Sequence, residues 1–83
     1  MRVTLKLFAS LADYLPPGSR DNRVDLEVDA AATVADVIAG HQLPERLVHL
    51  VLVNGVYVAP ADRAGHRLQA GDQLAVWPPI AGG

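Results

Sequence analysis

Thr33 to His41 is the strongest helical stretch in this 83-residue chain; almost every other apolar pattern has the two-residue period of a strand. Val34, Val37, Ile38 and His41 recur at helical spacing and share one face. Thr33 and Asp36 stand where a capping box places its two partners, with aspartate replacing the usual glutamate. Gly40 and Pro44 close the segment. The alternating runs are more numerous. In Arg2 to Phe8, Val3, Leu5 and Leu7 share one face and Arg2, Thr4, Lys6 and Phe8 the other. From Val24 to Asp29, Val24, Leu26 and Val28 alternate with Asp25, Glu27 and Asp29. Leu50 to Val53 is an apolar, β-branched run suited to a central strand. Asn54-Gly55 is the strongest hairpin signal in the chain and returns Val56-Tyr57-Val58 as the partner strand. In the last run, Leu74 and Val76 face one way, Ala75 and Trp77 the other.

One helix covers only one face of a sheet. The order β, β, α, β, β, β, with strong patterns in the first and last strands, places those two side by side in the sheet centre. The expected class is therefore α+β: a β-grasp (ubiquitin-like) layout, with a mixed sheet of four to five strands and one main helix on one face. Residues 1–77 form the β-grasp domain in this reading, and residues 78–83 an extended C-terminal Gly-Gly tail. Ala9 to Leu15 reads as a short helix ended by Pro16, and residues 16–22 as a loop. Glu45 to Leu47 adds a short turn, Pro60 to Gly65 a loop, and Gly71-Asp72 a second turn.

The tail has its own logic. Pro78 and Pro79 fix φ near −65° and lack an N–H, so they end sheet pairing. A Pro-Pro step favours the polyproline II form and projects the chain away from the body. Gly82 and Gly83 carry no side chain and fit a narrow protein channel. The expectation is a chain that presents the carboxylate of Gly83.

Composition narrows the function classes. The chain has no cysteine, which excludes disulfides, thiolate metal sites, iron–sulfur clusters and a cysteine nucleophile. A small domain relying on an apolar core fits the cytosol, and half the chain is hydrophobic. The net charge of −2 argues against a surface that tracks phosphates, hence against nucleic acid as partner. No stretch is long enough to span a membrane. The N-terminal apolar run to Leu15 is not a signal peptide, because Lys6 and Asp13 interrupt it and its apolar residues alternate. His41, His49 and His66 are scattered, so no metal site is expected. Asp25, Glu27 and Asp29 read as a solvated strand face rather than acid–base machinery. Lys6 is the only lysine. By alternation Phe8 and Trp77 both point away from the helix-covered face. If their strands are neighbours, they form an exposed aromatic patch near the tail exit, as enriched at interfaces, or Trp77 folds over the sheet edge and covers Phe8.

The whole chain resembles the ThiS/MoaD-type ubiquitin-like sulfur carriers, and among them the small subunit of molybdopterin synthase. The resemblance lies in Gly71-Asp72, the strand Leu74-Ala75-Val76-Trp77, Pro78-Pro79 and Gly82-Gly83, with Leu7-Phe8-Ala9 at the N-terminus. Ala12 and Asp13 stand where the family often has an Arg-acid pair. The resemblance implies that the Gly83 carboxylate is adenylated by a ubiquitin-activating-like adenylyltransferase, which uses ATP and Mg. A sulfur donor of rhodanese or cysteine desulfurase type then leaves a thiocarboxylate on Gly83. The loaded tail would enter the large subunit of molybdopterin synthase and give its sulfur to dithiolene formation. In this reading the chain binds no cofactor and is not catalytic alone; the catalytic groups belong to its partners. Gly82 gives clearance, Pro78, Pro79, Ile80 and Ala81 form the reach and contact of the tail, and Phe8 and Trp77 form the docking surface. The alternatives are a carrier for another thiocarboxylate-dependent route, such as tRNA thiolation or thiamin synthesis, and ubiquitin-like conjugation to lysines.

Overall fold

The computed structural model describes residues 1–79. Five strands make one mixed sheet: β1 (Arg2–Leu7), β2 (Arg23–Glu27), β3 (Leu50–Val53), β4 (Val56–Tyr57) and β5 (Gln73–Trp77), in the order β2-β1-β5-β3-β4. β1 and β5 are parallel neighbours, with Leu5 opposite Leu74 and Leu7 opposite Val76. The other three pairings are antiparallel. The strand pleat explains the layering. Val3, Leu5 and Leu7 of β1, Leu74 and Val76 of β5, and Val51 and Val53 of β3 all point to one face and are buried. One helix, α1 (Val34–Gly40), covers that face with Val34 and Val37, and Leu11, Leu43, Val58 and Leu68 close the core around it. The expected β-grasp architecture is thus present, with β5 at its centre.

The capping box at the start of α1 forms as the sequence implies. The Asp36 N–H donates to the Thr33 hydroxyl at 3.1 Å, and the Thr33 N–H donates to the Asp36 carboxylate at 2.9 Å. His41 is the residue after the helix rather than part of its buried face; its Nδ1 lies 3.1 Å from the Val37 carbonyl oxygen.

Two local expectations differ, and a third takes a particular form. The short helix expected over Ala9 to Leu15 is present as a 3-10 helix, Ala9–Tyr14. Ala9 enters it at φ +52°, and one buried side chain, Leu11, anchors it. So short a segment has too few apolar contacts to stabilise i→i+4 bonding. The strand expected to reach Asp29 stops at Glu27: Val28 still exchanges bonds with Met1, one pair beyond Arg2 and Glu27, and then the Asp29 carboxylate takes the Ala31 N–H at 2.8 Å and turns the chain. Pro60–Asp62, read as loop, is one 3-10 turn with proline at its start.

The ends of β5 are held from both sides. Asn54 (φ +51°) and Gly55 (φ +84°) form a two-residue hairpin of the type whose two central residues are both left-handed. The Asn54 side chain donates to Asp72 Oδ1 at 2.9 Å and accepts from the Gln73 N–H at 2.9 Å. Asp72 also accepts the Gln69 N–H at 2.8 Å. This polar clasp fixes where β5 begins relative to β3. At the other end the Phe8 N–H donates to the Val76 carbonyl and the His49 N–H to the Trp77 carbonyl. The last described residues, Pro78 and Pro79, follow directly from this anchored end, with Pro79 exposed.

Candidate docking face

The sheet face opposite α1 carries no covering layer among the described residues. Register assigns to it Thr4 and Lys6 of β1, Gln73, Ala75 and Trp77 of β5, Leu50 and Leu52 of β3, and Tyr57 of β4. On the far side β2 adds Arg23, Asp25 and Glu27. The two aromatic residues meet: Phe8 and Trp77 stack with ring centroids 4.2 Å apart and planes 4° from parallel. Both are half-buried. Trp77 therefore covers one flank of Phe8 without entering the core, and the pair forms an amphipathic platform beside the last anchored carbonyl of β5.

A shallow groove of about 210 Å3 runs from this platform along the sheet, lined by Lys6, Leu52, Gln73 and Ala75 as well as the two rings. Leu50 is 36% and Tyr57 55% exposed. The apolar half of the face thus spans β5, β3 and β4. The other half is ionic. Arg2 Nε lies 3.2 Å from Glu27 Oε1, and the Thr4 hydroxyl donates to Asp25 at 2.8 Å. Lys6 stands directly opposite Arg23 on β2, where two like charges repel.

Sequence reasoning found Phe8 and Trp77 but not Leu50, Leu52 and Tyr57. In β3 all four residues are apolar, so alternation carries no direction; only pairing with β5 decides that Val51 and Val53 point inward. The Asn54-Gly55 hairpin was the available signal, since it places Tyr57 beside Leu52. The structure positions Pro78 and Pro79 immediately after Trp77. Ile80, Ala81, Gly82 and Gly83 lie outside the described residues.

Elsewhere, a larger groove of about 420 Å3 runs beside α1, lined by Val28, Asp29, Ala32, Asp36, Val37 and His41 among others. Both its carboxylates are committed to backbone N–H groups, Asp29 to Ala31 and Asp36 to Thr33. It lies on the helix layer, away from the end of β5. Among the described residues no three His, Asp or Glu side chains converge as a metal site would require. No helix there is long and apolar enough to cross a membrane.

The comparisons with known proteins agree with this geometry. The small archaeal modifier protein 1 of Haloferax volcanii is 40% identical over 92 aligned residues, which cover 94% of this chain and 97% of that protein. Its crystal structure superposes with a TM-score of 0.70 at 34% identity, all of both chains being covered. The solution structure of the Haloferax volcanii HVO 2177 protein gives a TM-score of 0.78 at 31% identity, covering all of this chain and 87% of that one. Subunits 1 and 2 of the molybdopterin-converting factor of Helicobacter pylori, solved as a complex, include a chain with a TM-score of 0.60, both chains fully covered. At 18% identity that likeness concerns the fold alone. The family model described as Mut7-C ubiquitin matches residues 1–81, and the chain is a ubiquitin-like β-grasp protein that belongs to this family.

Proposed function

We propose that this protein is a sulfur carrier whose Gly83 carboxylate is adenylated and then converted to a thiocarboxylate. The reading is supported by one conjunction: Pro78-Pro79 leaves the anchored end of β5 beside the half-buried Phe8–Trp77 stack, and Gly82-Gly83 follows in sequence. A free α-carboxylate has a pKa near 3.3–3.7 and is anionic at neutral pH. It is a poor acyl donor until ATP converts it to a mixed anhydride with AMP, a good leaving group. Sulfide equivalents from a rhodanese or cysteine desulfurase type donor then displace AMP. Narrow tail channels in the activating and accepting enzymes admit Gly82 because it has no Cβ. The open face docks on those enzymes, with Phe8 and Trp77 as anchors and Leu50, Leu52 and Tyr57 as surrounding apolar contact. Its acceptor complex is molybdopterin synthase, in which the large subunit receives the loaded tail and this chain is the sulfur-donating small subunit. The complex of subunits 1 and 2 known for the Helicobacter pylori fold neighbour is the precedent for that pairing.

A second reading is favoured by the 40% identical relative, which is named a modifier protein: the same activated Gly83 is joined to lysines of other proteins. Intact mass of the protein from its native cells separates the two. Replacement of one oxygen by sulfur, localised to the C-terminal peptide, is the expected result. Localisation is essential because oxidation of Met1 or Trp77 adds nearly the same mass. An unmodified carboxylate, with the sulfur supply and activating enzyme both active, refutes the carrier reading.

A further inference from the structure

We infer that the outer edge of β2, together with the groove beside α1, is a docking site for an extended cationic segment of a partner protein, which adds to the sheet as a further strand. β2 ends the sheet and has β1 as its one neighbour among the described residues. Val28 and Met1 exchange both bonds, the Val28 N–H donating at 2.8 Å and the Met1 ammonium at 2.7 Å. In an antiparallel pair such exchanges recur at every second residue. Leu26 and Val24 therefore bond inward to β1. The N–H and C=O groups of Asp25 and Glu27 point outward, with no partner among the described residues. Arg23 comes next in this series, but its N–H and C=O are both bonded to Arg20. The open edge is thus short and has a defined start. Exposed edges are usually blunted by lysine, proline or a bulge. Residues 23–29 contain neither lysine nor proline, and the β1–β2 register runs without a bulge.

The two sides of this edge specify its occupant. On the side away from α1, Asp25 and Glu27 are exposed. On the helix side Leu26 and Val28 are only half-buried, and Val28 leads into the groove of about 420 Å3 that Ala32 and Val37 also line. Asp29 and Asp36 flank that groove. Each gives one carboxylate oxygen to a backbone N–H, which leaves the other without a protein donor among the described residues. A strand laid along the edge alternates its side chains in the same way. Those on the open side meet Asp25 and Glu27, which lysine or arginine complements. Those on the helix side meet Leu26, Val28 and the groove, which aliphatic side chains fill. A second copy of β2 does not fit. Antiparallel registers through Asp25 and Glu27 set carboxylate against carboxylate, and the register matching Asp25 with Arg23 is closed by the bonds to Arg20. The charges therefore exclude self-pairing and select a cationic strand. β1 lies between this edge and β5, so a segment bound here leaves Phe8 and Trp77 uncovered. The inference uses no residue of the tail and stands apart from the carrier reading.

The test uses the isotope-labelled full chain and two end-blocked hexapeptides, one alternating lysine with valine, the other glutamate with valine. The lysine peptide should slow amide exchange at Asp25 and Glu27 by about tenfold or more at saturation. It should also shift the resonances of Leu26, Val28, Ala32 and Val37, with an affinity that falls as salt rises. The glutamate peptide should do neither. Glu27→Pro removes one outward N–H and no bond to β1, a change that edge strands tolerate. It should leave circular dichroism unchanged and weaken the lysine peptide about tenfold. Asp25→Asn keeps an acceptor for the Thr4 hydroxyl and should weaken the same peptide while flattening its salt dependence. Equal binding of the two peptides, protection that persists in Glu27→Pro, or shifts centred on Phe8 and Trp77 overturn the inference. A lysine peptide that fails to bind overturns it as well.

Discussion

Replacing Phe8 and Trp77 by alanine, singly and together, tests whether the two rings act as one unit. Truncating a fully buried tryptophan costs about 3–5 kcal/mol. Trp77 keeps one flank in solvent while stacking on Phe8 at 4.2 Å, so roughly half of that, about 2 kcal/mol, is expected. The ring–ring contact accounts for about 0.5–1.5 kcal/mol of it, the usual worth of an aromatic pair beyond its buried area. The double variant should therefore be less destabilised than the sum of the singles by about 1 kcal/mol. In a domain of this size a loss of 2 kcal/mol lowers Tm by roughly 8–16 °C. Leu5, fully buried at the sheet centre, supplies the contrast: Leu5→Ala should cost about 2–5 kcal/mol with no coupling specific to the pair. Urea titration of the four chains gives the cycle. The proposed docking role adds a second readout, since loss of an anchor of about 2 kcal/mol would weaken binding to the proposed adenylyltransferase roughly 30-fold. Single-variant effects that add within about 0.3 kcal/mol refute the stacked unit. A large drop in Tm with unchanged affinity removes Trp77 from the docking face.

Deleting Gly83 should abolish thiocarboxylate formation while leaving circular dichroism and Tm unchanged, because among the described residues the last strand contact is made at Trp77; a deletion variant that still loads sulfur refutes the carrier reading. Thr33→Ala breaks the capping box and should cost about 1 kcal/mol, read as a Tm lowered by about 4–8 °C. Asp72→Ala removes the bonds to the Gln69 N–H and the Asn54 side chain. At about 0.5–1.5 kcal/mol per bond, a loss of about 1–2 kcal/mol is expected, with faster amide exchange at Gln73; unchanged exchange would show that the clasp does not position β5.

The clasp matters to the proposed site because it acts at a distance through one strand. Asp72 and Asn54 set the start of β5, and the strand carries that register to Trp77 and so to the tail exit. Along β1 the same parallel ladder brings Phe8 level with the end of β5. The aromatic platform is therefore a product of strand register rather than of any local motif.

Much of the fold is local in origin and was legible. The period of the pleat alone assigns Val3, Leu5, Leu7, Leu74 and Val76 to the core, since neighbouring side chains on a strand point to opposite faces whatever the strand pairs with. The Thr33–Asp36 box and the Asn54-Gly55 turn are short-range devices, and each formed where its residues stand. The expectation for the tail rests on the residue types of Pro78-Pro79 and Gly82-Gly83 alone, and Gly82 and Gly83 lie outside the described residues. What sequence could not decide depends on partners far along the chain. Ala9 to Tyr14 has the composition of a helix, but a single buried Leu11 leaves the tighter 3-10 form. Leu50 to Val53 is apolar throughout, so its outward pair became visible only through its antiparallel pairing with β5. Whether Trp77 lies beside Phe8 or over it, and whether Lys6 faces open solvent or a groove, rests on the packing of β1 against β5 from the opposite end of the chain. Alternation says which way a side chain points; only the assembled sheet says what it meets there.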